Sequence, residues 1–319
     1  MKNPPSDFSG LTHGRHASTS LGVIVPTLNA ANDWSVFSAA LLKNVTPDQV
    51  LIIDSSSTDG TAELAKASGF RVETISRSDF NHGATRQLGV NLFPDADILI
   101  FLTQDAELAS GDAIARLCKA FDDEEVGAAY GRQLPRRGAG AIEAHARLFN
   151  YPAASQMRSA NGQGTLGFKS LFFSNSFGAY RRAALQAVGG FPEDVIFGED
   201  TVTVAHLLQH GWKVSYVADA AVRHSHVYSM SQEFRRYFDI GVLHSREAAT
   251  FAPFGKASGE GKKFVKSETA FVSRRAPHLL LSAWLRTALK LFGYRLGRRE
   301  QSMPLALKRR LSMSTSFWK

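Results

Sequence analysis

The sequence predicts an α/β protein whose mostly parallel sheet is flanked by helices, with a helical C-terminal extension. Three observations carry that expectation. Residues 21–25 (LGVIV), 50–53 (VLII) and 98–102 (ILIFL) are short, almost wholly apolar runs, the pattern of strands covered on both faces. Segments with helical spacing separate them, as parallel strands with crossover helices require. Beyond residue 231 helical patterns dominate and basic residues accumulate.

In chain order, residues 1–20 are rich in Ser, His, Gly and Pro and read as a flexible leader. Residues 21–25 form the first strand, closed by Pro26, and 33–42 the first helix. Residues 50–53 form the second strand; 58–68 form the next helix, with Gly69 at its C-cap. Residues 71–75 alternate like a strand, 82–92 are helical, 98–102 are a strand, and 113–121 are apolar at helical spacing. The second half is less regular. Residues 170–180 read as a short aromatic strand and 181–188 as a helix ending at Gly189 and Gly190. Residues 201–210 read as a helix capped by Gly211, and 213–217 as a last strand. This divides the chain into a main domain over 21–240 and a basic, mainly helical extension over 241–319.

With 319 residues and 44% apolar side chains the chain can bury a sizeable core. The single cysteine, Cys118, excludes an intrachain disulfide framework and reads as a buried thiol. No apolar stretch in the first twenty residues resembles a secretory signal, and no window is apolar enough to span a bilayer. A cytoplasmic protein, peripheral at most, is expected. The net charge of +8 is uneven: from Lys256 onward 15 Lys and Arg face 3 Asp and Glu, a net of +12. That skew calls for an anionic partner such as a membrane surface, a polyanionic acceptor or nucleic acid.

Open parallel sheets bind ligands beyond the carboxyl ends of their strands. Four loops share that rim: 26–29, 54–59, 77–82 and 103–107. Asp54 ends a buried strand, where a carboxylate can accept from a base N–H or a ribose hydroxyl; Asp59, before Gly60, reads as closing a turn. Asp105 follows another buried strand and suits a hard divalent cation, Mg2+ or Mn2+, bridging a diphosphate. Arg132, Arg136 and Arg137 flank Pro135 and either touch an acceptor phosphate or face solvent.

Taken in order, five segments resemble the signatures of family-2 glycosyltransferases with the GT-A (Rossmann-like) fold. They are Val23-Ile-Val-Pro-Thr-Leu-Asn29, the Asp54 loop, Asn81-His-Gly-Ala-Thr-Arg86, the Asp105 loop, and Gly189-Gly-Phe-Pro192 with Gly198-Glu-Asp200. Further stretches are similar to bacterial rhamnosyltransferases of surface-polysaccharide (O-antigen-type) assembly. These are Thr103-Gln-Asp-Ala106, Tyr130-Gly-Arg-Gln-Leu-Pro135, Phe149-Asn-Tyr-Pro152, His224-Ser-His226 and Gln232-Glu-Phe-Arg-Arg-Tyr-Phe-Asp239. The resemblance spans residues 22–228.

It implies that Pro26, Thr27, Asn29, Asp54, Arg86, Gln104 and Asp105 bind the nucleotide sugar, Thr27 and Asp54 holding base and ribose and Arg86 the nucleotide or diphosphate. It implies that Asp200 is the general base with Glu199 beside it, and that Asp105 is the last Asp of the metal motif. The first Asp of that motif is Thr103 here, so the site lacks one carboxylate. His224 and His226, at i and i+2 after a strand, are the candidates to complete a metal site. The implied reaction is inverting transfer of a sugar, L-rhamnose from dTDP-rhamnose, to a saccharide or polyprenyl-linked acceptor. UDP- or GDP-sugars use the same scaffold, and a non-catalytic nucleotide-sugar-binding protein is the alternative.

In the extension, residues 278–294 are helical by pattern, and His278, Ser282, Arg286 and Lys290 recur every four residues in one stripe. With Arg295, Arg298, Arg299, Lys308, Arg309 and Arg310 following, the segment resembles a helix lying in the headgroups of an anionic leaflet. The alternatives are docking on the main domain or on a second subunit, which would make a homodimer. Nucleic acid is not an expected partner, because no recognition module accompanies the basic tail. Pro26-Thr-Leu-Asn29 in place of a Gly-x-Gly-x-x-Gly turn argues against a dinucleotide oxidoreductase.

Overall fold

The computed structural model describes residues 19–159, 167–255 and 259–318; the first eighteen residues of the expected leader lie outside them. Strands β1 (Leu21–Thr27), β2 (Val50–Asp54), β3 (Arg71–Thr74) and β4 (Ile98–Leu102) are separated by helices α1 (Trp34–Leu42), α2 (Thr61–Ala67) and α3 (His82–Leu92). After them come β5 (Glu107–Leu108), α4 (Ala113–Cys118), β6 (Val126–Leu134), α5 (Ala141–Asn150), β7 (Gln156–Arg158), β8 (Phe177–Arg181), α6 (Arg182–Ala187), α7 (Glu199–Gln209) and β9 (Lys213–Arg223). The extension holds α8 (Met230–Arg246), α9 (Ala248–Phe251), α10 (Glu260–Arg275), α11 (Leu280–Gly297) and α12 (Leu305–Leu311). α8 runs unbroken through residues 240 and 241, where the domain and extension were expected to meet.

The strands form one sheet in the order β3-β2-β1-β4-β8-β6-β9-β5, with β7 also on β9. β1 to β4 pair in parallel, as the apolar runs predict. β8 then inserts antiparallel between β4 and β6, so the whole sheet is mixed. Alternate residues of each central strand serve two cores. Ile24, Leu51, Ile53, Leu99 and Phe101 face one layer, together with α7 and α8 residues such as Val204 and Phe238. Val23, Val25, Ile52, Ile98 and Ile100 face the other, against Trp34, Phe37 and Leu41 of α1. Having apolar cover on both faces is what removes alternation from these sequences.

Several boundaries differ from expectation, each for a local reason. β1 continues through Pro26, because its ladder with β4 ends at Ile24 and the missing N–H breaks no rung there. α2 begins at Thr61 rather than 58, since the Asp59 carboxylate accepts from Thr61 N (3.1 Å) and Oγ1 (2.6 Å) and closes a turn. The expected strand over 170–180 is a 3-10 turn, Gly167–Leu171, followed by β8. β9 extends to Arg223 because a register shift pairs Gly131 with Val217 but Arg132 with Ala221, restarting the ladder.

The extension is clamped to the main domain by a close helix crossing. A Cβ on Gly297 of α11 would lie 2.0 Å from the Phe238 carbonyl oxygen of α8, and one on Gly293 2.4 Å from that of Phe234. Arg286 and Lys290 lie 3.2 and 3.7 Å from the carboxylate of Glu233 on α8. Ser282, Arg286 and Lys290 are half-buried, because Glu233 draws the cations against α8. Further on, Trp318 is buried beside Phe238, and the Arg246 guanidinium stands over the Phe317 and Trp318 rings. Among the described residues no helix is long and apolar enough to cross a membrane.

Gly297→Val should separate α8 from α11 and cost about 1–3 kcal/mol of stability, as overpacking of a tight contact does. Urea denaturation checks this.

Candidate active site

The rim expected from the sheet is where the candidate residues gather, in three linked groups. The first lies at the ends of β1, β2 and β4. Asp54 is 1% exposed and accepts from Thr27 Oγ1 (3.0 Å), Ser57 N (2.8 Å) and Ser57 Oγ (2.5 Å). A carboxylate has about four acceptor positions, so most of its capacity goes into joining these loops. Asn29 and Ser56 both adopt left-handed backbone, φ 50° and 56°. In non-glycine residues that conformation is uncommon and concentrates where a site imposes it. Asn29 N donates to Ser57 Oγ (2.9 Å) and Thr58 N donates to Asn29 Oδ1 (2.9 Å), so the two turns hold each other. Gln104 accepts from Leu28 N (2.7 Å) and donates to Leu28 O (3.0 Å), extending the tie to the β4 loop. Pro26 is half-buried between them, level with Ile53.

The second group opens α7. Arg86, expected at the nucleotide, pairs with Glu199. Its Nη1 lies 3.0 Å from Glu199 Oε1 and donates to His82 O (3.0 Å), with the Arg86 and Glu199 side chains only 7% and 5% exposed. Burial alone would push the Glu199 carboxyl up, but Arg86 and His82 outweigh it and hold the group below its ordinary value. Asn175 Nδ2 also donates to Glu199 Oε1 (3.1 Å), while Asn175 N donates to Asp200 Oδ2 (3.1 Å). Asp200 itself is half-buried. Burial, and then the adjacent Glu199 charge, push its carboxyl up to about 6. The result is one carboxylate fixed in its charged form beside another that exchanges a proton near neutrality.

The third group surrounds Asp105. His224 Nε2 lies 3.3 Å and His226 Nδ1 3.6 Å from its carboxylate, and one ligand atom of each residue falls within 4.8 Å of the others. Burial opposes ionisation of Asp105, but the two imidazoles outweigh it and keep the carboxyl well below its usual range. Burial, then the neighbouring His224, push His226 down to about 4, so it is neutral at physiological pH. Gln133 Nε2 donates to Ser174 Oγ (2.9 Å), which turns its amide oxygen toward His224 Nδ1 (3.0 Å). Gln133 holds the His224 ring through Nδ1 and leaves the buried Nε2 facing Asp105. The donor set thus fits a divalent cation, and two imidazole nitrogens favour a transition ion such as Mn2+ over Mg2+.

Three side chains complete the site without having been singled out for these roles. Gln133 orients His224, Asn175 holds both carboxylates of α7, and Arg136 Nη2 donates to Asp105 Oδ2 (3.2 Å) and Asp105 O (3.2 Å). Arg136 had been read only as facing acceptor or solvent. Its partner depends on β6 and β9 staying in register through Leu134 and Arg223, a pairing that local spacing does not reveal.

The Glycosyl transferase family 2 profile matches residues 22–189, more than half of the chain. The chain belongs to glycosyl transferase family 2. As a member it is a glycosyltransferase, and it has two similar curated relatives. The O-antigen chain rhamnosyltransferase RfbN of Salmonella typhimurium is 45% identical over 298 residues, 93% of this chain and 95% of the relative. The O-antigen chain rhamnosyltransferase WbaN of Salmonella anatum is 44% identical over 303 residues, 94% of this chain and 96% of the relative. Among solved structures, the mannosyltransferase PcManGT of Pyrobaculum calidifontis, in complex with GDP-Man and Mn2+, superposes with a TM-score of 0.54 at 20% identity. The match covers 93% of this chain and 84% of that one, and at this identity it shows the shared GT-A fold.

Arg86→Met leaves the Glu199 charge buried without its partner and should cost about 3–5 kcal/mol. Adding Glu199→Gln should recover part of that loss in chemical denaturation, since the double variant buries no lone charge.

Proposed function

We propose that this glycosyltransferase moves L-rhamnose, with inversion, from dTDP-rhamnose to a saccharide or polyprenyl-linked acceptor during cell-surface polysaccharide assembly, at the cytoplasmic face of the membrane. The observation that carries the reading is the link between the second and third groups. Gln133 joins His224 to Ser174, and the next residue, Asn175, donates its backbone N–H to Asp200. A cation site and a proton acceptor are thus tied to the two ends of one hydrogen-bonded connection. Displacement of a nucleoside diphosphate by a hydroxyl needs that pair of functions. The rhamnosyl donor follows the two relatives named above.

In this reading Pro26, Thr27, Asn29, Asp54 and Gln104 shape the nucleotide pocket. Asp54 works there chiefly by holding the Thr27 and Ser57 loops. Asp105, His224 and His226 would hold Mn2+ or Mg2+, which supplies Lewis-acid charge at the diphosphate. Arg136 adds a cation beside Asp105, where the first motif carboxylate is replaced by Thr103. Asp200 takes the proton from the acceptor hydroxyl as that oxygen attacks the anomeric carbon. Glu199 keeps the basicity of Asp200 high, and Arg86 keeps Glu199 charged. A proton acceptor near neutrality suits this task, and positioned bases contribute about 10²–10⁴-fold.

The direct test is release of dTDP from dTDP-rhamnose that depends on added acceptor; no acceptor-dependent release from this donor would overturn the reading. Asp200→Asn should lower turnover by about 10²–10⁴-fold with donor binding retained. In the parent enzyme the rate should rise with pH through about 6, because the raised group must lose its proton to act. Glu199→Gln removes the neighbouring negative charge, so that acid limb should move to lower pH.

Gln133→Leu frees the His224 ring from its orienting partner. It should weaken Mn2+ binding, followed by electron paramagnetic resonance, by about 10–100-fold.

A further inference from the structure

α11 is turned the opposite way from an ordinary surface helix. Its exposed residues are Leu281, Trp284, Leu285, Ala288, Leu291 and Phe292, which recur at helical spacing and so share one face. The large side chains among them are 48–76% exposed. The polar positions Ser282, Arg286 and Lys290 lie on the other side, where both cations face the Glu233 carboxylate. At the carboxyl end the outward side changes character abruptly to Arg295, Arg298 and Arg299, all exposed. The face is too large and continuous to be scattered surface apolarity, and such patches mark interaction sites.

We propose that this outward face of α11 is the surface by which the enzyme docks on an anionic lipid leaflet, its leucines and aromatics in the interface and its three terminal arginines among the headgroups. The inference deepens the proposed function by naming the surface that meets the acceptor's membrane, and rests on it for that link alone. Charge complementarity selects lipid over a second copy of the chain. An isologous contact through this face would offer Arg295 and Arg299 no carboxylate, since α11 carries no Asp or Glu and the chain from Lys256 onward carries 15 Lys and Arg against 3 Asp and Glu. Anionic headgroups instead attract them. The geometry also ties docking to chemistry. Arg286 Nη1 donates to Tyr228 O (2.8 Å), two residues beyond His226. A leaflet under α11 is therefore linked through Arg286 to the loop that carries His224 and His226.

The full chain is tested by flotation with vesicles of phosphatidylethanolamine and phosphatidylglycerol, against vesicles of phosphatidylcholine alone. Binding to the anionic vesicles is expected, with a blue shift in tryptophan emission, since Trp284 is exposed whereas Trp34 and Trp318 are buried. Leu285→Ser with Phe292→Ser should lower partitioning by about tenfold or more. Its melting temperature and its transfer to a soluble acceptor should stay unchanged. Arg295→Glu with Arg299→Glu should remove the preference for phosphatidylglycerol. The proposal is overturned if the parent protein does not float, if the Ser variant floats equally well, or if the parent is a dimer that the Ser variant converts to monomer. Flotation uses neither donor nor acceptor, so failure of rhamnosyl transfer and failure of docking are separate results.

Discussion

Two adjacent carboxylates at the start of one helix cannot both be charged at low cost when burial removes water from them. The ion pair between Arg86 and Glu199 resolves that conflict and sets the character of the whole site. Glu199 is committed to its anionic form by a guanidinium that is itself fixed on α3 through the His82 carbonyl. Asp200 therefore meets a permanent negative neighbour and holds its proton more tightly than an ordinary aspartate. The buried pair contributes little net stability by general experience, since desolvation offsets the attraction. Its importance lies in what it does to the next residue.

The mixed sheet divides the remaining work. Its parallel half carries the loops around Thr27, Asn29, Asp54 and Gln104, which bond chiefly to one another. Beyond the antiparallel β8, the parallel pair β6 and β9 supplies Arg136 from just past the end of β6 and His224 and His226 from just past the end of β9. Asp105 sits where the halves meet, following β4 by three residues and preceding β5 by two. Gln133, Ser174 and Asn175 then connect the imidazoles to α7 through side-chain and backbone hydrogen bonds. Orienting groups of this kind give a site its geometry before any ligand arrives.

How much of this was legible in the sequence follows from the range of the interactions involved. β1, β2 and β4 were readable because cover on both faces makes a strand continuously apolar. β6 was not, because Val-Gly-Ala-Ala-Tyr-Gly has neither the alternation nor the bulk of a strand, and its stability comes from neighbours far away in sequence. The bulge in β9 likewise hid the strand's second half. The metal-site candidates Asp105, His224 and His226 were readable as types that ligate cations, and the structure brings all three within reach of one ion. The pairing of Arg86 was not readable because Glu199 lies over a hundred residues downstream, and only the tertiary fold brings the two together. Which side of α11 faces outward was not readable for the same reason: Glu233, on another helix, decides which way the cations face.

Trp318 belongs to the same apolar cluster as Ile24 and Phe101, which begin the sheet. Phe238 and Arg246 of α8 meet it directly, so this core has one wall contributed from far along the polypeptide. Closing such a long loop is entropically slow, and strands paired early must wait for it with part of their apolar surface uncovered. During synthesis this core would therefore stay incomplete until the segment around Trp318 had left the ribosome, with part of its apolar surface uncovered until then.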